Sequence, residues 1–223
     1  MTILLEKEKY IVIDKLAGVV SEFGNFEELI PCHRLDKDTS GVMMLARDII
    51  TKDLIQDQFK RREVFKKYQA LVYGDVLETT KKIFNSEGEF EIDAPIKRNR
   101  ITKDKFSIDI TGRDSKTKFK VVDRFNDTAN NIYTLVDCYP STGRTHQIRV
   151  HLGALGHAVA FDQIYGGDRL NLITKGELLR MFLHASEVKF KDPYTNEDIV
   201  VESKLPENLS TFLRNLKKIG LDI

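Results

Sequence analysis

Asp36 is the residue best placed for chemistry in this chain. It lies in HRLDKDTSGVMMLAR, His33 to Arg47, behind the basic pair His33-Arg34 and ahead of the turn-prone segment Lys37 to Gly41. Val42 to Ala46 then reads as a buried strand. A carboxylate held beside a strand can serve as nucleophile or general base, and a rigid element holds such a group better than a mobile loop does. An aspartate before Lys-Asp-Thr-Ser-Gly also suits an ordinary turn, so the stretch alone leaves both readings open.

Other chemistries find less support. Of the five histidines, His146 and His151 are five residues apart. That spacing puts them about 140° apart on a helix and on opposite faces of a strand. With no HExxH and no paired CxxC, metal catalysis has no motif behind it. Cys32 and Cys138 are the only cysteines, and reduced thiols in a cytoplasmic protein are the expectation. Cys32-His33 is a poor nucleophile–base pair, because sequence neighbours point apart.

The elements that must position Asp36 are short strands at hairpin spacing with a few helices. Tyr10 to Asp14 and Gly18 to Glu22 read as strands, and Asn25 to Ile30 as a short helical turn. Asp48 to Glu63 reads as an amphipathic helix, N-capped by Asp48. Val64 to Tyr73 alternates like a strand, so Tyr68 faces the same side as Lys66 and Ala70. Glu89 to Ile96, Lys105 to Ile110, Lys118 to Phe125 and Ile132 to Tyr139 read as further strands. Thr145 is placed to cap a helix from His146 to about Leu155. Arg180 to Lys191 and Ile199 to Glu202 close the strands, and Pro206 to Ile219 reads as a last helix. The expected class is α+β: a mixed, largely antiparallel sheet with flanking helices, in a single domain over 1–223.

The chain has 223 residues, 41% hydrophobic and 31% charged, which is a globular composition. No apolar stretch approaches the roughly 20 residues that span a bilayer. The N-terminus lacks a signal-peptide core, so the expectation is a cytoplasmic protein without a membrane partner. Net charge is only +1, but its distribution is uneven. Lys60, Arg61, Arg62, Lys66 and Lys67 oppose Glu63 alone, and Lys97, Arg98, Arg100, Lys103 and Lys105 oppose Asp104 alone. Two such clusters suit a phosphate backbone, and equally suit two solvated surfaces.

The motif around Asp36 resembles the catalytic motif of the RluA-type pseudouridine synthases: HRLD, two residues, TSG, then an apolar strand. Lys67 to Gly74 resembles that family's Lys-x-Tyr…Gly strand, with Tyr68 as its tyrosine. Gly143 to Gly167, GRTHQIRVHLGALGHAVAFDQIYGG, resembles its second large motif, with Arg149 as the functional arginine. Leu183-His184-Ala185 resembles its Leu-His-Ala strand. Three positions depart from the family pattern: Leu16 stands for a proline, Ala158 for a proline and Phe161 for a glycine.

The resemblance implies isomerisation of uridine to pseudouridine within ribosomal or transfer RNA, without metal, nucleotide or other cofactor. It implies Asp36, Tyr68 and Arg149 as the catalytic set, with Arg149 as the cation that keeps Asp36 charged in a dry pocket. Arg34, Arg144, His146, Gln147 and Leu183 are its RNA contacts. The target base would be flipped out of its stack. A monomer is the default. The main rival is a non-catalytic RNA-binding module or chaperone on the same fold, for which the basic clusters and Tyr68 would serve equally well.

Overall fold

The computed structural model describes residues 2–81, 84–102, 104–167 and 180–221; Lys103 of the second basic cluster lies outside them. In chain order the elements begin β1 (Thr2–Glu6), β2 (Tyr10–Lys15), β3 (Ile30–Pro31), β4 (Ser40–Ala46), α1 (Ile49–Lys60), β5 (Phe65–Tyr73) and α2 (Val76–Thr80). They continue β6 (Glu89–Asp93), β7 (Ile96–Arg98), β8 (Phe106–Ile108), β9 (Lys116–Asn126), β10 (Ile132–Pro140) and α3 (Gln147–Ala154). The last are β11 (Leu183–Lys191), β12 (Asp198–Glu202), α4 (Glu207–Asn215) and β13 (Lys217–Lys218). The chain forms two compact units: Met1–Tyr68 with His184–Leu205, and Gln69–Leu183 with Pro206–Ile223.

In the first unit the strands lie in the order β1-β2-β4-β11, with β3 on β4 and β12 on β11. The pairings of β1 with β2, β2 with β4, β3 with β4 and β11 with β12 are antiparallel, and β4 with β11 is parallel at Ser40↔His184 and Gly41↔Ala185. Alternation sorts the apolar residues onto two faces. Tyr10, Val12, Val42, Met44 and Ala46 pack with Ile55 of α1, Val188 and Phe190. Ile11, Ile13, Met43 and Leu45 pack with Phe26, Leu35, Ala185 and Tyr68. Both faces are covered, which is why β4 is buried along its whole length. Asp48 caps α1 as expected, accepting from the Thr51 N–H at 2.8 Å.

The second unit orders its main strands β5-β10-β9-β13, with β6 also paired to β9, along Lys116–Lys120, and β7–β8 as a separate hairpin. The expected strand over Glu89 to Ile96 is broken at Ala94-Pro95, where proline has no N–H to give a ladder, and β7 begins one residue later. An aromatic group of Tyr73, Tyr133, Phe161 and Phe212, with ring centroids 5.1–6.2 Å apart, fills the space beside α4.

Four expectations need correction. Gly18 to Glu22 is not a strand: the Lys15 ammonium is buried and donates to the carbonyls of Leu16 and Val19, each at 2.9 Å. A chain curled around a cation cannot stay extended. Asn25 to Ile30 is not helical, because Gly24 and Glu27 have φ of 92° and 58°. Helix α3 starts at Gln147; its N-cap is His146, in the left-handed region at φ 57°, and not Thr145. Helix α4 ends at Asn215, and Leu216 turns extended so that Lys217 and Lys218 pair with the exposed edge of β9.

Candidate active site

Asp36 is half-buried, and the segment around it is fixed on both sides. The Leu35 N–H donates to Ser21 Oγ (3.1 Å), which donates in turn to the Leu35 carbonyl (2.9 Å). The Asp36 carbonyl accepts from the Thr39 N–H (3.0 Å), closing the turn. The next carbonyl, that of Lys37, accepts from the Lys15 ammonium (3.1 Å) and the Gly18 N–H (2.8 Å). Ser40 Oγ lies 2.9 Å from His184 Nδ1, and His184 Nε2 lies 3.1 Å from the Ser203 carbonyl. A carbonyl only accepts, so Nε2 carries a proton, and in the neutral ring Nδ1 accepts from Ser40. Every bond here is local to the first unit, and together they preorganise the backbone on which Asp36 stands.

His33 is part of the same clamp. Its Nε2 accepts from the Met44 N–H at 3.0 Å, and its ring lies 4.9 Å from that of Phe59. Burial, aided by the Lys66 ammonium, pushes the imidazole down to about 4. The folded protein thus holds His33 neutral, while the unfolded chain takes up a proton below about pH 6.5. Stability is fully present above that pH and falls as pH drops from about 6.5 towards 4. Wild type is expected to lose up to about 3 kcal/mol from this group. Urea unfolding at pH 7 and 4.5 checks it: His33→Gln should show a shallower pH dependence, and equal slopes would contradict the assignment.

Tyr68 lies in β5, half-buried, and packs on the same apolar cluster as Leu35, the residue before Asp36. The fold of the first unit therefore brings the Asp36 segment and Tyr68 to one face of its sheet. Arg34 is exposed at the entry to that segment.

The other candidates belong to the second unit. Arg149 on α3 is buried and grips Asp162 in a fork, Nε to Oδ2 at 2.7 Å and Nη2 to Oδ1 at 2.8 Å. Asp162 Oδ1 also accepts from the N–H groups of Ile164 and Tyr165, at 2.9 and 3.1 Å. The Arg149 guanidinium lies 5.0 Å from the centre of the Tyr165 ring, and the Tyr165 hydroxyl lies 3.0 Å from His146 Nδ1. Gln147 is buried. Its Oε1 accepts from Thr142 Oγ1 (2.7 Å) and the Arg144 N–H (3.0 Å), and its Nε2 donates to the Lys116 carbonyl and Thr117 Oγ1. Arg144 is half-buried, and its Nε donates to the Asp114 carbonyl at 3.1 Å. Leu183 is buried at the start of β11.

Residues 17–154 match the family model described as RNA pseudouridylate synthase. The chain belongs to that family. Within it the motifs are those of the RluA type. The chain is 36% identical over 188 residues to the uncharacterized RNA pseudouridine synthase YlyB of Bacillus subtilis (strain 168), an alignment covering 84% of this chain and 56% of that protein. It is 31% identical over 242 residues to the ribosomal large subunit pseudouridine synthase D of Nitrosomonas europaea, covering 98% and 66%. The chain thus spans between about half and two thirds of the length of these relatives. A solved structure of human RNA pseudouridylate synthase domain containing 1 superposes with a TM-score of 0.79 at 27% identity, over 99% of this chain and 89% of that one. The α+β class with a largely antiparallel sheet is therefore that of the pseudouridylate synthases.

Several supporting residues escape a reading by motif. Asp162 appears in the sequence only as the neighbour of a departure from the family pattern. That departure, Phe161, stands at φ 63°, where glycine is at ease and a bulky side chain is strained. Its ring is buried against Phe212 and its N–H donates to the Tyr73 hydroxyl at 3.2 Å, so packing offsets the strain. His184 was legible as a motif letter and not as the anchor of Ser40. Lys15 carried no signal beyond its place after Asp14. Among the described residues no cluster of three or more His, Cys, Asp or Glu could hold a metal, and no helix is long and apolar enough to cross a membrane.

Proposed function

We propose that this protein isomerises specific uridines in structured RNA to pseudouridine, with Asp36 as the reacting carboxylate. The observation that carries the reading is the clamp on the backbone around Asp36: His33, Leu35, Asp36, Lys37, Thr39, Ser40 and Gly41 are each held by a hydrogen bond or by close packing within the first unit. An RNA-binding surface has no need of an aspartate on a backbone fixed this way, whereas a reaction needs the residue that carries its nucleophile or base in one place. This favours the enzyme over the binding-module reading.

The N1–C1′ bond of uridine breaks, the uracil turns, and C5 bonds to C1′. The proton leaves C5 and N1 regains one, so the product is an isomer and nothing is oxidised. Three routes start at Asp36: attack on C1′ of the ribose, attack on C6 of uracil, or removal of the 2′ proton. Tyr68 either packs on the flipped base or assists removal of the C5 proton. Arg149 joins the catalytic set on the strength of its motif. Arg34, Arg144 and His146 are the RNA contacts, their charge and planar groups suiting phosphate and base. Leu183 lines the same set as an apolar contact. The internal bonds of Gln147 fit a role in shaping the loop before α3, through which it would serve the RNA.

The name of the Nitrosomonas europaea relative supports ribosomal RNA of the large subunit as the substrate; transfer RNA is the other target to be tested. Pseudouridine mapping of ribosomal and transfer RNA decides between them, using cells with and without this protein. At least one site should disappear with the protein and return with its expression. An unchanged map in both RNA classes would contradict the proposal.

A further inference from the structure

The β7–β8 hairpin and two neighbouring loops enclose a cleft of about 470 Å³ in the second unit. Its walls carry Lys97 and Arg98 from β7, Phe106 from β8, and Arg113, Gly143 and Arg144 from the loops. No carboxylate lines it among the described residues, and none of Asp36, Tyr68 and Arg149 belongs to it. The volume falls within the ~300–1,000 Å³ of sites that take a small molecule.

The cleft is braced. Ile96 and Arg113 exchange two backbone hydrogen bonds, each 2.9 Å. Gly112 packs backbone to backbone beside them, where a Cβ would stand 2.6 Å from the Ile96 carbonyl carbon. Lys97 Nζ donates to Thr111 Oγ1 at 2.6 Å, and the Phe106 N–H donates to the Tyr165 hydroxyl at 2.8 Å. Arg98 stands over the Phe106 ring, 5.8 Å from its centre. Four cations around a braced hollow suit an anion of more than one contact, and an aromatic ring with a guanidinium above it suits a planar base.

We propose that this cleft binds one unpaired nucleotide of the substrate RNA, other than the target uridine, with its phosphate on Lys97, Arg113 and Arg144 and its base beside Phe106 and Arg98. The proposal rests on RNA as the substrate, as argued above. It makes the cleft a determinant of where along the RNA the enzyme settles, through single-stranded character beside the target.

Gly143 gives a clean test. A Cβ there meets nothing within 4 Å, and the residue is exposed. Gly143→Glu and Gly143→Gln then differ in the cleft by one charge. Binding is measured by fluorescence anisotropy on a labelled 12-nucleotide single-stranded RNA and on a fully paired RNA hairpin stem, across a salt series, with unlabelled uridine 5′-monophosphate as competitor. Gly143→Glu should bind the single strand at least tenfold more weakly than Gly143→Gln, with a salt slope shallower by about one, and should affect the stem less. Arg113→Gln, a change at an exposed side chain, should weaken the single strand in the same direction and decides the matter alone if the glutamate variant does not fold. Equal binding by the glutamate, glutamine and Arg113→Gln variants would overturn the proposal. So would a charge effect seen only with the free mononucleotide, which would make the cleft a nucleotide site unrelated to RNA. Tritium release from uridine-labelled RNA is followed in parallel. Loss of strand binding by Gly143→Glu with no turnover even in wild type would uphold the cleft and remove the activity; turnover with no charge effect would do the reverse.

Discussion

Arg149→Ala is expected to lose roughly 3–5 kcal/mol of stability and all measurable turnover. The guanidinium is buried and held in a two-bond fork by a fully buried carboxylate, Asp162. Removing it strands that carboxylate in the interior with only two backbone N–H donors from Ile164 and Tyr165. Arg149→Lys should not rescue the loss, because an ammonium cannot reproduce the fork. A second variant separates architecture from chemistry. Arg149→Met combined with Asp162→Asn removes both charges together, which typically recovers much of the stability that a single removal costs. If Arg149 acts on the reaction, the double variant folds and stays inactive. Recovery of turnover along with stability would reduce Arg149 to a structural part. Thermal unfolding and RNA turnover on the same preparations read both quantities.

Gly41→Ala carries the second large effect, expected to be about 3 kcal/mol or more. A Cβ at Gly41 would lie only 2.1 Å from the Ala185 carbonyl oxygen and 2.7 Å from two further backbone atoms of Ala185, at a φ of 116°. Backbone atoms in a paired strand cannot step aside as the end of a side chain can, so the parallel contact of β4 with β11 must open. That contact holds Ser40 against His184, four residues from Asp36. Gly18→Ala is the comparison: φ is also positive, at 89°, but its Cβ meets nothing within 4 Å, so the cost is expected near 1 kcal/mol. Denaturant unfolding of the two variants side by side gives the answer, and similar stability losses would contradict the close-approach argument.

These two cases show how much the chain discloses before it is folded. Short motifs single out Asp36, Tyr68 and Arg149, because the chemistry proposed for them demands particular residue types at particular spacing. The unbroken apolar run of Val42 to Ala46 placed β4, because burial on both faces leaves no alternation, and the alternation of Val64 to Tyr73 placed β5. Gly41 was visible as a letter of the motif, but its need to be glycine comes from Ala185, which is 144 residues away and reaches it only through the fold. Asp162 and Lys15 are the same kind of case: each is a single polar residue whose importance is created by burial and by partners remote in sequence or on the backbone. The misread segments have local causes. Gly18 to Glu22 has strand-like composition but is bent around the Lys15 ammonium, and Lys217-Lys218 leaves the expected helix because the edge of β9 offers it hydrogen bonds.

On the proposed reading, the carboxylate of Asp36, carried on a clamped backbone, carries out uridine isomerisation. The most direct measurement is tritium release from RNA labelled at C5 of uridine, prepared from cells lacking this protein, with wild type beside Asp36→Asn. Pseudouridine and uridine have equal mass, so loss of the C5 proton is the more direct signal. Wild type should release tritium and Asp36→Asn none, with the variant's RNA binding and unfolding midpoint close to those of wild type. Release by both proteins would remove Asp36 from the reaction, and release by neither, with RNA binding intact, would return the fold to the binding-module reading.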